Sequence, residues 1–317
     1  MLALAKIKKN VRALVPLKII LPIFNLSIKI AVFFTGTKIV TYHGSIGIIR
    51  NRKEIRLSKL HQLYFHDTVK NFDFYFEGVE ASLIDGHSVV DYSRPAWHSV
   101  QEFELMPIYF NAIAEPVATA IQYIDFSGIG ENSVAIDLGA YSALTSILMD
   151  QRIKAGGRVI AVEADHSNYI ACQKNTALYE QISNRKIDLL KAAIWDHDRG
   201  IAFSSEGNMG SSAVDVVGDD RGDNIRVDTI TLMGLVKHFS LSKVDFIKCD
   251  IEGAEAIALN SPEFFLKFKP KVVIECHDVA GVNTQFACTE LMENFGYKCE
   301  VREQHGYPLP LLFCYPE

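Results

Sequence analysis

At 317 residues, with 49% hydrophobic and 22% charged side chains, the chain has room for one large domain or two modest ones and enough apolar surface for a sizeable core. Its six cysteines form no CxxC pair and no Cys/His group with zinc spacing, which argues against a disulfide framework or structural zinc and for free thiols in a reducing, cytoplasmic compartment. The net charge of −6 hides an asymmetry: residues 1–60 hold twelve Lys/Arg against one acid, Glu54, so the rest carries −17, and no nucleic-acid partner is expected for so acidic a body.

The first predicted element is a basic, apolar helical segment over residues 1–36. Its core, VPLKIILPIFNLSIKIAVFFTG (15–36), is interrupted by Lys18, Asn25, Lys29 and two prolines. A central Lys costs roughly 3 kcal/mol on insertion scales, which disfavours a membrane span. No small-residue cleavage site follows, which disfavours a signal peptide. Two readings fit the pattern. The segment lies on an anionic bilayer surface with its lysines snorkelling, which would place the protein peripherally on the cytoplasmic membrane face beside a lipid-linked acceptor. Alternatively it packs on the main domain or on a second subunit of a homodimer.

Residues 37–103 alternate in short runs, KIVTYHG and FDFYFEGVEASLIDGHSVV, punctuated by glycines 44, 47, 78 and 86, and predict a small mixed or β-rich lobe. The third domain is predicted over 104–317. Its first stretch, ELMPIYFNAIAEPVATAIQYI (104–124), has apolar residues at helical spacing, broken by Pro107 and Pro116. Five short apolar strands follow: 133–139, 158–164, 186–194, 243–251 and 269–277. The stretches between them read as helices to about 154 and over 167–182, the latter with Ser167 as N-cap. Strands apolar on both faces and separated by helices predict a mostly parallel sheet covered by helices on both sides, a Rossmann-like α/β fold, with a last antiparallel hairpin from GYKCEVRE and PLPLLFCYPE.

In such a sheet ligands bind outside the carboxyl ends of the strands. The residues delivered there are Asp137-Leu138-Gly139, Glu163, Ala192-Ala193, Asp250 and His277-Asp278. The loop DLGAYSALTS (137–146) lacks the G-x-G-x-x-G of a dinucleotide site, and Asp137 would repel a pyrophosphate while suiting a cationic ligand. Glu163 ends the second strand, where an acid accepts hydrogen bonds from both ribose hydroxyls. A ribose ligand, an adenine slot beside Ala192-Ala193 and acids near a positive centre together describe S-adenosylmethionine. The expected cofactor contacts are Asp137, Gly139, Ala140, Tyr141, Ser142, Glu163, Ala164, Ala193 and Asp250.

Several ordered blocks resemble one family: VAIDLGAYSALTS, GRVIAVEADHSNYIACQKN, AAIWD, MGSS, IRVDTITL, DFIKCDIEGAEAIAL and VVIECHD, spanning about 134–278. They are similar to the FkbM-type S-adenosylmethionine-dependent methyltransferases. The resemblance implies O-methylation of a hydroxyl on a sugar, glycan or natural product. The family reads D-x-G-A-N-x-G at the first loop, whereas this chain carries Tyr141 for Asn and Ala143 for the second Gly. Those two departures raise an alternative, a methyltransferase-fold binding or scaffold protein without turnover. For the enzyme, His277 is expected as general base with Asp250 as second candidate. Ser211, Ser212 and Glu252 are expected against the substrate, because the Gly/Ser/Asp-rich stretch 204–224 would overhang the site. Asp250, Glu252 and His277 are also donor types that bind Mg²⁺ or Mn²⁺, a reading placed behind the metal-free one.

Overall fold

The computed structural model describes residues 36–58, 63–217, 223–279 and 281–317. The predicted segment 1–36 therefore lies outside the described residues apart from Gly36. Among the described residues no helix is long and apolar enough to cross a membrane.

The described residues up to Phe76, with Ala81–Ser93, form one compact unit, and Glu77–Glu80 with Arg94–Glu317 form a second. The first unit is a five-stranded sheet of β1 (Lys38–Thr41), β2 (Ser45–Arg50), β3 (Lys53–Ser58), β4 (Ser82–Ile84) and β5 (His87–Tyr92), in the order β1-β2-β3-β5-β4. The β2–β3 turn places Asn51 and Arg52 at φ 50° and 63°, the left-handed pair that matches hairpin twist. The crossover from β3 to its parallel neighbour β5 carries α1 (Leu63–Lys70) and α2 (Phe72–Phe76), which bury Val69, Phe72 and Tyr75.

The second unit begins with the hairpin β6 (Ala96–Val100) and β7 (Phe103–Phe110). This corrects the helical reading of 104–124. Met106, Ile108 and Phe110 are buried at period two with Pro107 exposed between them, so the stretch is a strand to Phe110. A helix, α3 (Val117–Ser127), starts only after Pro116, a residue whose fixed φ and missing N–H suit a helix entry.

Next come β8 (Val134–Leu138), α4 (Leu144–Ile153), β9 (Arg158–Glu163), α5 (His166–Ser183) and β10 (Asp188–Lys191). Asp165, not Ser167, caps α5: its carboxylate accepts from the amides of Ser167 and Asn168. The third predicted strand breaks at Ala192, so that β10 pairs with β9 while β11 (Ala193–Ile194) turns away to pair with β15 (Thr229–Ile230). Between them lie β12 (Ile201–Ser205), β13 (Ser212–Ala213), α6 (Val214–Val217) and β14 (Asp223–Val227), with β12 central in a three-stranded sheet.

The chain closes with α7 (Leu232–His238), β16 (Phe246–Cys249), α8 (Glu255–Ala258), α9 (Pro262–Phe268) and β17 (Lys271–Glu275). A small β18 (Asp278–Val279)–β19 (Val282–Asn283) pair, α10 (Gln285–Asn294), β20 (Tyr297–Gln304) and β21 (Tyr307–Pro316) follow. The main sheet runs β10-β9-β8-β16-β17-β21-β20, parallel except for the terminal hairpin that places β21 antiparallel to β17. This is the expected Rossmann-like α/β sheet. Strands β8 and β16 are buried along their whole length, as a sheet covered on both faces requires. Strand order reverses between β8 and β16, and the crevice above that reversal is where such folds take ligands.

Candidate active site

The loop after β8 is built by close approach. Gly139 sits at φ 78°, and a Cβ there would lie 1.8 Å from the backbone oxygen of Asp250 at the end of β16. Only glycine lets the two strand ends meet. Tyr141 (φ 51°) and Ala143 (φ 61°) continue the left-handed turn, which explains why Asn and Gly suit those two positions in the family pattern. Here Tyr141 is held by other means: its hydroxyl donates to the Ile113 carbonyl (2.6 Å) and its ring stacks on Phe110 at 6.3 Å. Ser142 is buried, and its carbonyl accepts from Asn175, whose amide also clamps both backbone groups of Tyr109.

Glu163 closes the loop from β9. One carboxylate oxygen accepts from the Tyr141 amide and the other from the Asp165 amide, both at 2.8 Å. Burial, then the neighbouring Asp165, push its pKa up to about 7, against the two amide bonds that lower it. Each oxygen keeps lone-pair capacity for a further donor. Beyond Glu163 a slot opens between Ala164, Ala193, Trp195, Ile201, Phe203 and Met209. Its roof is tied to α5 by Asp165, whose second oxygen accepts from Ser205, Gly207 and Ser211.

The same cleft, about 1180 Å³ of space open to solvent, extends to a charged end lined by Glu115, Tyr123, Lys248, Asp250, Glu252 and Glu275. Lys248 is a buried cation in the middle of β16. Its ammonium donates to the Gly139 carbonyl (2.7 Å) and lies 3.2 Å from both Asp137 and Asp250. Burial alone would lower its pKa; the two carboxylates outweigh burial and keep it charged. Glu275 accepts from the Tyr123 hydroxyl (2.7 Å) and the Gln304 amide (3.3 Å), and burial followed by Asp250 raises its pKa to about 7. Burial, then Glu275 and Asp250, also hold the Glu115 carboxyl well above the usual range.

Gly139, Ala140, Tyr141, Ser142, Glu163, Ala164, Ala193, Asp250, Ser211 and Glu252 all line the cleft. Two expected contacts, Asp137 and Ser212, do not. Asp137 is fully buried beneath the loop, bonded to Ser146 (2.6 Å) and paired with Lys248, so it braces the site instead of touching a ligand. Ser212 is buried and donates to the Glu252 carbonyl (2.7 Å), which fixes the rim. Ser211 reaches the cleft wall, but its hydroxyl is spent on Asp165 and on the Glu206 amide.

His277 also lies behind the cleft lining, with Nδ1 2.8 Å from Glu255 and Nε2 3.6 to 3.8 Å from Asp250, Glu252 and Glu275. Burial favours its neutral form, but Glu252, Glu255 and Glu275 outweigh that and hold its pKa well above the ordinary value. A ring whose proton is held this firmly is poorly suited to the general-base role expected of His277. After the cleft wall Glu252 turns at φ 56°, and the helix that follows, α8, spans only Glu255–Ala258.

Sequence reasoning missed Glu115, Tyr123, Lys248 and Glu275. Lys248 carried a readable signal, a lone cation within an otherwise apolar strand. Glu115 and Tyr123 were obscured by the helical reading of their stretch.

Comparison with known proteins follows the same boundaries. Among solved structures, a methyltransferase FkbM from Methylobacillus flagellatus KT is 16% identical, with 61% of this chain and 50% of that one covered at a TM-score of 0.41. A precorrin-6y C5,15-methyltransferase from Geobacter metallireducens GS-15 is 15% identical, covering 62% and 86% at 0.39. A SAM-dependent methyltransferase from Aquifex aeolicus is 8% identical, covering 62% and 89% at 0.36. No curated protein matches the chain by sequence. The methyltransferase FkbM domain, in contrast, matches residues 137–307, from the acid beneath the first loop to the terminal hairpin, and so the chain belongs to the FkbM methyltransferase family.

Proposed function

We propose that this chain transfers a methyl group from S-adenosylmethionine to a hydroxyl oxygen of a sugar, glycan or natural-product acceptor. The observation that carries the reading is the polarity of the cleft: a buried carboxylate and an apolar slot at one end, an excess of carboxylates at the other. The residues present fit the cofactor. Glu163 has lone pairs for two ribose hydroxyls, and the slot between Ala193, Trp195 and Phe203 matches the faces of an adenine ring. Gly139 lets the ends of β8 and β16 meet beside the cleft, and Asp250, Glu115 and Glu275 complement the amino group and the sulfonium. When bound, S-adenosylmethionine supplies an electrophilic methyl carbon.

The chain's own contribution is alignment and proton removal. The acceptor oxygen gains the methyl as the sulfur–methyl bond breaks, and the hydroxyl proton passes to a carboxylate. Glu275 is the group assigned to take it. Asp250 is ion-paired with Lys248, whereas Glu275 is hydrogen-bonded by the neutral side chains of Tyr123 and Gln304. Most of the rate should come from proximity, since the electrophile is already activated.

Calorimetry with S-adenosylmethionine and S-adenosylhomocysteine tests the first half. Folded protein that gives no binding heat up to millimolar ligand would overturn it. Transfer of labelled methyl to a panel of sugars, glycans and polyhydroxylated natural products tests the second. Methylation confined to nitrogen or carbon acceptors would remove the hydroxyl assignment, and cofactor binding without turnover on any acceptor would favour the scaffold reading.

A further inference from the structure

We propose that Asp250, Glu252 and His277 form a binding site for one divalent cation of the Mn²⁺ type at the wall of the cleft, placed to hold the acceptor's oxygen. The acceptor half of this statement rests on the function proposed above; the cation half does not.

One ligand atom from each of the three residues can be chosen so that all lie within 4.8 Å of one another. The imidazole is 7% exposed, and its Nδ1 is already committed to Glu255, a fully buried carboxylate that also accepts from the Gly253 amide. That bond fixes the ring and leaves Nε2 facing three carboxylates, where a bound cation would take the place of the Nε2 proton, the arrangement by which a carboxylate orients a metal-binding histidine. Nε2 then faces Asp250 Oδ1 at 3.6 Å and Glu252 Oε1 at 3.7 Å, with Glu275 Oε1 at 3.8 Å.

These separations are too long for hydrogen bonds. They fall in the range for two ligands sharing one ion: with bonds of about 2.1–2.2 Å, neighbouring donors stand roughly 3.0 Å apart and opposed donors roughly 4.3 Å apart. Charge points the same way. Four carboxylates surround one ring, and the nearby Lys248 is shared between Asp250 and Asp137. The side chains of Asp250 (28% exposed) and Glu252 (23% exposed) keep an open flank, where water or an acceptor hydroxyl could complete the coordination.

The donor set selects the ion. Two carboxylates and a solvent-open flank suit hard cations, while an imidazole is a poor ligand for Mg²⁺ or Ca²⁺; Mn²⁺ accepts both donor types. Such a cation would draw acceptor oxygens toward Glu275 and favour acceptors that offer two neighbouring hydroxyls over those offering one.

The test uses full-length protein stripped of metal with a chelator and titrated with Mn²⁺, the bound ion being counted by electron paramagnetic resonance. One ion per chain is expected, with nitrogen coupling from one imidazole in the pulsed spectrum of the wild-type protein. His277→Gln should abolish that coupling and weaken binding by about tenfold or more, and Glu252→Gln should weaken it comparably with the coupling retained. Glu293→Gln, an exposed acid on α10, should change nothing. Absence of binding up to millimolar Mn²⁺, a wild-type spectrum without nitrogen coupling, or full affinity in folded His277→Gln would each overturn the proposal. Mn²⁺ binding in protein that fails to bind S-adenosylmethionine would leave the cation site standing and remove the transfer reading instead.

Discussion

The two ends of the cleft are built on opposite principles. The Glu163 end is built of backbone amides, one carboxylate and an apolar slot, drawn from the loop after β8, from β9, from α5 and from the β11–β13 region within about seventy residues of sequence. At the Asp250 end, side chains from three separate places meet: Glu115 before α3 with Tyr123 within it, Lys248 on β16 with Asp250 just after it, and Glu275 at the end of β17 with His277 just after it. The first end is assembled by local geometry and should tolerate change one contact at a time. The second is a coupled charge network, in which removing one member leaves its partners buried and uncompensated.

That contrast predicts where damage should fall hardest. Glu275→Gln keeps the size and the hydrogen bonds from Tyr123 and Gln304 but cannot accept the acceptor's proton. Turnover should fall by about 10²–10⁴ while affinity for S-adenosylmethionine stays near wild type. Steady-state kinetics with separate cofactor calorimetry checks this. A variant with wild-type turnover would place the base elsewhere and make the charged end a binding feature only.

Gly139→Ala acts where the two ends are pinned together. The added methyl would meet the Asp250 carbonyl at 1.8 Å on a backbone already at φ 78°. Stability should drop by about 3 kcal/mol or more, and cofactor binding should be lost at both ends together. Thermal denaturation and calorimetry on the same sample measure both. A stable variant with full cofactor affinity would mean that the β8 and β16 ends are free to separate.

Much of this was legible beforehand, unevenly so. The Glu163 end could be read from sequence because strand-end acids and glycines sit beside the strands that present them, and strand periodicity is a local signal. Gly139, Glu163, Ala193 and Asp250 all emerged that way and all line the cleft. The Asp250 end could not be read so far, because its chemistry depends on who faces whom. His277 looked like a base until Glu255 and three further carboxylates were found around it. Glu115 stayed hidden because Leu105, Ile108, Tyr109 and Ala112 recur at the i, i+3, i+4, i+7 spacing of a helix, and only pairing with β6 reveals the strand's period of two.

Glu163→Gln should be milder than either change above. It removes the charge that the proposed binding mode sets against the ribose hydroxyls but preserves shape, so affinity for S-adenosylmethionine should fall by about 1.5–3 kcal/mol with turnover at saturation little changed. The wild type should reproduce part of this by pH alone. The carboxyl titrates at about 7 instead of its usual 4.5, so cofactor affinity should decline as pH falls below about 7 and this component should vanish in the Gln variant. Its contribution to stability has the opposite sense: the folded form holds the proton more tightly, so stability from this group is greatest below pH 4.5 and is lost as pH rises toward 7. Affinity independent of pH between 5.5 and 8 would mean that Glu163 does not meet the ribose as a carboxylate.

The smallest expected effect is the most informative about the loop itself. Ala143 occupies a left-handed position (φ 61°) where the family carries glycine, yet it is fully buried and does not line the cleft. Three terms act in Ala143→Gly. Relief of the left-handed strain favours the variant by about 1 kcal/mol. Loss of a buried methyl opposes it by about 0.8 kcal/mol, and the added backbone freedom of glycine in the unfolded chain opposes it by a further 0.5–1 kcal/mol. The sum is a destabilisation of under about 1 kcal/mol. Because Ala143 does not line the cleft, affinity for S-adenosylmethionine should stay within about twofold, under half a kcal/mol. Denaturant unfolding and cofactor calorimetry on the two proteins decide the matter. A tenfold gain in affinity would show that alanine obstructs the cofactor in the natural chain, and the Glu163 end would then be less complete than its hydrogen bonds suggest.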